Sequence, residues 1–142
     1  MLQSNYVRIP NINLQQSFTI QLWVYVRDTI IYSEYGLFSQ CDSNVTTCLL
    51  LSIRDLHITF SFDSMKTNGS IFIGTSLIGY NNWYHVTAVY NALTRQQLLY
   101  INSRSYAISY GNIELFQGLS LNARTYLGVT SSYNYSTSYL NG

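Results

Sequence analysis

The sequence predicts an all-β, antiparallel sandwich, and three observations carry that prediction. Apolar and polar residues alternate with period two along most of the 142 residues, and no stripe of helical period is sustained. Turn-forming residues recur at hairpin spacing. Many short alternating runs separated in this way, with 8 Gly and a single Pro, describe antiparallel strands rather than a parallel sheet crossed by helices.

Taken in order, the first short strand falls at 6–9, ahead of Pro10. "SFTIQLWVYV" is the clearest alternation. It sets Phe18, Ile20, Leu22, Val24 and Val26 on one face and Thr19, Gln21, Trp23 and Tyr25 on the other. Strands follow at 37–40 and 49–54. "LHITFSF" then places Ile58, Phe60 and Phe62 opposite His57, Thr59 and Ser61. After a short strand at 71–73 comes "NNWYHVTAVYN". Here Asn81-Asn82 turn the chain and Tyr84, Val86, Ala88 and Tyr90 share a face, with His85, Thr87 and Val89 behind them. Trp83, at the strand's start, is expected to plug the sandwich edge with its N–H on backbone. "NALTR" and the Asn102-Ser103 reversal separate the strands at 84–90, 97–101 and 104–108. A last strand is expected at 125–129, and the Ser/Tyr-biased tail "TSSYNYSTSYLNG" reads as a loop because its apolar positions make no core face.

The length fits one domain spanning 1–142, large enough for a core without metals or staples. Charged residues make up only 9% of the chain and the net charge is +1. Without a basic run there is no footing on nucleic acid or on an anionic membrane surface. No apolar run approaches the ~20 residues of a membrane span. The start, "MLQSNYVRIP", lacks the charged lead and apolar stretch of a signal peptide. A surface rich in amides, hydroxyls and 14 Tyr suits glycans or secreted partner proteins.

Cys41 and Cys48 bracket "DSNVTT", a spacing too wide, and a ligand set too small, for a metal site. They are either bridged across a hairpin mouth or two half-buried thiols. The bridge is preferred, and it would imply an oxidising compartment. Sequons occur at Asn44, Asn68 and Asn134, about as many as the Asn and Ser/Thr content yields by chance, and all three fall in expected loops.

"SFTIQLWVYV", "GLFSQCD…CLLLSIRDLHITFSF", "NNWYHVTAVYNALTRQQLLYINS", "TYLGV" and "YLNG" together resemble, in order, the laminin-G-like family. This family belongs to the concanavalin A-like lectin/glucanase superfamily of jelly-roll sandwiches. Trp23, Trp83, Tyr84 and His85 lie in the segments that carry the likeness, and "WYHV" with its hairpin is the most specific. The resemblance implies an extracellular recognition module for glycans or proteins, monomeric within a longer multidomain chain, sometimes using calcium. Two turn positions depart from the family: Asn91 replaces a common Asp, and Asn102-Ser103 replaces Asn-Gly. Ser suits a positive φ less well than Gly, so that turn is expected to be longer or strained. Family members also continue after "YLNG" with a further strand. Its lack here implies an uncovered strip of core.

Enzymes share this fold, but they need paired carboxylates on one strand. The six acids Asp28, Glu34, Asp42, Asp55, Asp63 and Glu114 lie no closer than six residues apart, which disfavours a hydrolase. His57 is expected to be solvated and His85 to be structural, and no Gly-x-Ser-x-Gly elbow exists to make either a base. No cofactor is implied beyond a weak calcium ion, for which Asp63 is the least poor ligand. Asp28 and Glu34 are expected to share a loop. For ligand contact the best material is aromatic: Tyr32 and Tyr35 in one loop, and Tyr133, Tyr135 and Tyr139 in another. The function expected is therefore non-catalytic recognition. A purely architectural sandwich domain is the alternative, and a lectin-like hydrolase stands behind both.

Overall fold

A computed structural model describes residues 6–14, 16–26, 34–42, 47–54, 56–64, 69–74, 78–109, 122–132 and 135–139. The described elements are all strands: β1 (Val7–Ile9), β2 (Phe18–Val26), β3 (Glu34–Cys41), β4 (Thr47–Arg54), β5 (His57–Ser64), β6 (Gly69–Gly74), β7 (Asn82–Asn91), β8 (Gln96–Ile101), β9 (Arg104–Ser109), β10 (Arg124–Leu127), β11 (Val129–Ser132) and β12 (Tyr135–Tyr139). They form a six-stranded sheet, β1-β10-β3-β4-β5-β6, a four-stranded sheet, β2-β7-β8-β9, and the β11–β12 hairpin. Every pairing is antiparallel.

The core lies between the two larger sheets, where the period-two alternation puts it. Val24, Val26, Val86, Ala88, Tyr90, Leu99 and Ile101 of the four-stranded sheet belong to one buried cluster with Leu49, Leu51, Ile53, Ile58, Phe60 and Phe62 of the other. At one end Phe18, Phe60, Phe62 and Tyr90 interlock edge-to-face or tilted, with ring centroids 5.0–6.4 Å apart. Each such ring contributes roughly 1.5–3 kcal/mol by its burial, with a further ~0.5–1.5 kcal/mol per well-set aromatic pair. At the other end the loop ahead of β7 stitches the sheets together. Ile78 N–H donates to Leu56 O in the β4–β5 turn (2.8 Å), and Asn81 N–H donates to Val26 O at the end of β2 (2.6 Å).

The two sheets treat their outer faces differently. In β4 the middle six residues, Cys48 to Ile53, are all buried, the near-continuous apolar pattern of a strand covered on both sides. Ser52 and Thr59 answer their burial by bonding each other, Oγ to Oγ1 at 2.9 Å. In β2 the outward residues Thr19, Gln21, Trp23 and Tyr25 are all exposed, so this sheet keeps an open face.

Several expectations change. The tail is not a loop throughout: Val129–Ser132 and Tyr135–Tyr139 pair as a hairpin, with a bulge between Thr130 and Ser132, and the hairpin lies against β3. A paired ribbon of Thr, Ser and Tyr satisfies its backbone without needing a core face of its own. The strand expected at 125–129 is divided, because Gly128 turns with φ 81° and ends β10. Glu34 does not share a loop with Asp28; it opens β3, in register with Arg54. The Asn102-Ser103 reversal is no longer than two residues. Both take positive φ (49° and 65°), so the strain falls on Ser103.

Candidate ligand-binding face

The open face of the four-stranded sheet carries the largest exposed side chains that the strands present. Parity along β2 and β7 sends Trp23, Tyr25, Trp83 and His85 outward, because their neighbours Leu22, Val24, Val26, Tyr84 and Val86 are held toward the core. The register then decides who meets whom. Tyr25 stands opposite Trp83, and Trp23 opposite His85. The Tyr25 and Trp83 rings are tilted 51° with centroids 5.4 Å apart; Trp23 and His85 are tilted 40° at 5.0 Å. Trp23 is 65% exposed, Trp83 61% and Tyr25 41%, so pairing leaves a large part of each side chain in water. The row continues across the sheet through Gln21, Thr87 and Tyr100, which are neighbours in register. Tyr106 stands 47% exposed at the β8–β9 bulge.

The backbone beneath these rings is pinned. Asn102 reaches back from its turn, its Oδ1 accepting from His85 N–H at 2.9 Å while its own N–H donates to His85 O at 2.8 Å. Tyr84, pointing the other way, closes the preceding loop: its hydroxyl accepts from Gly79 N–H (2.8 Å) and donates to Gly79 O (3.1 Å). No outward position of β2 or β7 between Thr19 and Tyr25, or between Trp83 and Val89, is a Lys, Arg, Asp or Glu. Such a face offers flat π surfaces with amide and hydroxyl groups beside them, and little Coulombic selection.

The expected site residues therefore separate. Trp83 does not plug an edge; the register gives it Tyr25 as a neighbour and leaves it on the surface. Tyr35 is no loop residue either. It sits in β3, 6% exposed within the core cluster, and offers nothing to a ligand. Tyr32, Tyr133, Asn44, Asn68 and Asn134 lie outside the described residues, and Tyr135 is placed only as the first residue of β12. Asp63 pairs with Cys48 and Ser70 near the end of β5, its side chain outside the description. Among the described residues no three His, Cys, Asp or Glu gather as a metal site would require. Cys41 and Cys48 are direct register partners, and a disulfide joins them.

Trp23 and Tyr25 were readable as outward from parity, and so was Trp83, which shares its parity with His85. Their meeting was not, because it depends on which strand lies beside β2 and in which register.

Comparison with known proteins now has a geometry to stand against. A family model described as the concanavalin A-like lectin/glucanases superfamily, laminin G type, matches residues 3–142. No curated protein sequence matches the chain. Among solved structures, the LG1-3 region of the laminin α2 chain is similar at TM-score 0.68 and 13% identity, over 96% of this chain and 28% of that one. Domains LG4-5 of the mouse laminin α1 chain give 0.66 and 14%, over 92% and 32%. The CBM40 of the Ruminococcus gnavus IT-sialidase, bound to α2,3 sialyllactose, gives 0.67 and 14%, over 90% and 71%. This chain thus spans about a third of the mouse laminin fragment it matches. At such identities the likeness is one of fold.

Proposed function

Since the chain belongs to the concanavalin A-like lectin/glucanases superfamily as a laminin G-type domain, we propose that it is a non-catalytic carbohydrate-recognition module working outside the cell. Trp23, Tyr25 and Trp83 form the platform on which sugar rings stack. One observation carries this reading: Trp23, Tyr25 and Trp83, each more than 40% exposed, stand with His85 in two register-matched pairs on a pinned, uncharged face of β2 and β7. Aromatic rings with few rotatable bonds lose little entropy on contact, and Tyr hydroxyls add directional bonds to sugar hydroxyls. The solved neighbours support the class of ligand at a coarse level, since one of them is a carbohydrate-binding module with a bound saccharide. The disulfide supports an oxidising, extracellular setting.

Screening on an array of neutral and acidic oligosaccharides, followed by calorimetric titration, tests the reading. Trp23→Ala with Trp83→Ala should weaken the best neutral ligand by about 2 kcal/mol, some thirtyfold in Kd, as aromatic hot spots do. The melting midpoint should move little, because both rings are exposed. Unchanged affinity in the double variant would remove the platform. Capture of a protein partner that the double variant abolishes, with every glycan unbound, would move the reading to protein recognition.

A further inference from the structure

A second feature lies on the other sheet and makes no use of the platform. The pairing of β1 with β10 ends at Ile9 and Thr125, and Pro10, which has no N–H to offer a ladder, follows. At this end of the two strands lies an open cleft of about 760 Å³, lined by Arg8, Asn11, Asn122 and Arg124 together with Ile9, Pro10 and Ala123. That size lies within the range of small-ligand sites.

One wall is held from inside. Gln40, 1% exposed on β3, brings Nε2 to 2.6 Å from Asn11 Oδ1, 2.7 Å from Ile12 O and 2.9 Å from Thr125 Oγ1. It thereby ties the segment after β1 to both β3 and β10. It also turns the Asn11 side-chain oxygen inward, so the amide nitrogen is the end directed away from Gln40.

The charge of the cleft is one-sided. Among the described residues that line it, two are basic, Arg8 and Arg124, and none is acidic. Among the described residues no carboxylate pairs with Arg8 or Arg124, and both are exposed. Two exposed guanidinium groups give the cleft a positive charge that draws an anion. Their planar forks match a carboxylate bidentately better than they match a point charge. Asn amides alongside suit hydroxyl groups, and the Ile9 and Pro10 floor suits the apolar face of a pyranose ring.

We propose that this cleft is a second saccharide site, selective for a sugar that carries a carboxylate, as a uronic acid does. Arg8 and Arg124 hold the carboxylate, and Asn11 and Asn122 bond the ring hydroxyls. The site shares the carbohydrate reading above but uses none of its residues, so each can fail without the other.

Tetragalacturonate and its fully methyl-esterified form are the probes, since they differ only in the charge of each carboxyl group. By calorimetry at low salt the acid form should bind at least about tenfold more tightly than the ester, and added salt should weaken it. Arg8→Gln and Arg124→Gln should each lower its affinity about tenfold, and Arg8→Lys should restore only part of the loss, because charge returns without the fork. Melting midpoints should stay at the parent value, which separates lost binding from lost folding. Trp23→Ala with Trp83→Ala should leave acid binding unchanged while weakening the neutral ligand about thirtyfold. Equal binding of acid and ester, no binding of either at millimolar concentration, indifference to both Arg substitutions, or loss of acid binding in the Trp variant each overturns the proposal. Tetraglutamate bound as tightly as tetragalacturonate does so as well, since it would make the cleft a reader of acidic peptide.

Discussion

Ser103 occupies the second position of a two-residue hairpin with φ 65°, where an L side chain crowds its own backbone. Asn102, beside it at φ 49°, tolerates that region and gains a bond from its Oδ1 to His85 N–H; Ser103 shows no such compensation. Ser103→Gly should therefore stabilise the protein by about 0.5–1 kcal/mol, the strain relieved outweighing the added freedom of the unfolded chain. Chemical denaturation with an unchanged m-value is the check, and a lower midpoint would contradict the strain argument. Gln97 poses the opposite problem. It is fully buried on the inner face of β8, and neither its Nε2 nor its Oε1 has a partner. Leaving a buried amide unpaired costs about 1–3 kcal/mol. Gln97→Met, close in shape and without the polar atoms, should raise stability by about 1–2 kcal/mol in the same measurement. A destabilised Met variant would mean that the amide is satisfied in solution, for instance by an enclosed water.

Strands show what the sequence made legible and what it withheld. β2 was readable residue by residue, since its strict alternation matches the observed burial: Val24 and Val26 buried, Trp23 and Tyr25 exposed. β3 was not, because the register shifts between Gly36 and Phe38 and the alternation is broken there. Residues of both parities, Tyr35, Leu37 and Phe38 among them, are buried because β3 lies inside its sheet with the β11–β12 hairpin against it, and a reader following period two loses the strand at its start. The hairpin of β11 and β12 was hidden for another reason: its apolar positions make no core face, and the loop reading rested on that. The β3–β4 pair also carries the disulfide, with Cys41 and Cys48 opposite one another across a short connection. Substituting both by Ala should cost roughly 2–3 kcal/mol, as the chain-entropy account gives for a short closed loop. Thermal melting of oxidised, reduced and doubly substituted protein tests this. If the reduced and oxidised forms melt together, the bridge has no part in stability.

At the scale of the molecule, strands adjacent in a sheet are often remote in the chain. Val7 pairs with Leu127, and Phe18 with Tyr90, so neither larger sheet closes until distant segments meet. Folding should therefore be slow, in the millisecond-to-second range of β-sandwiches, because loop-closure entropy is lost before long-range pairs repay it. Stopped-flow refolding followed by Trp fluorescence reads this directly, and a microsecond phase that recovers the full native signal would contradict it. The same topology explains why the proposed ligand face escaped a reading of loops alone. The platform is assembled from β2 and β7, whose meeting no single segment announces, whereas each Tyr-rich loop was visible by itself. The separation of faces has a consequence for the lineage of such domains. Outward residues of β2 and β7 lie outside the core cluster, so mutation can rewrite Trp23, Tyr25 or Trp83 at small cost while Val24 and Val86 keep the fold. Specificity and foldability are inherited on alternate letters of the same word, and selection can edit one without misspelling the other.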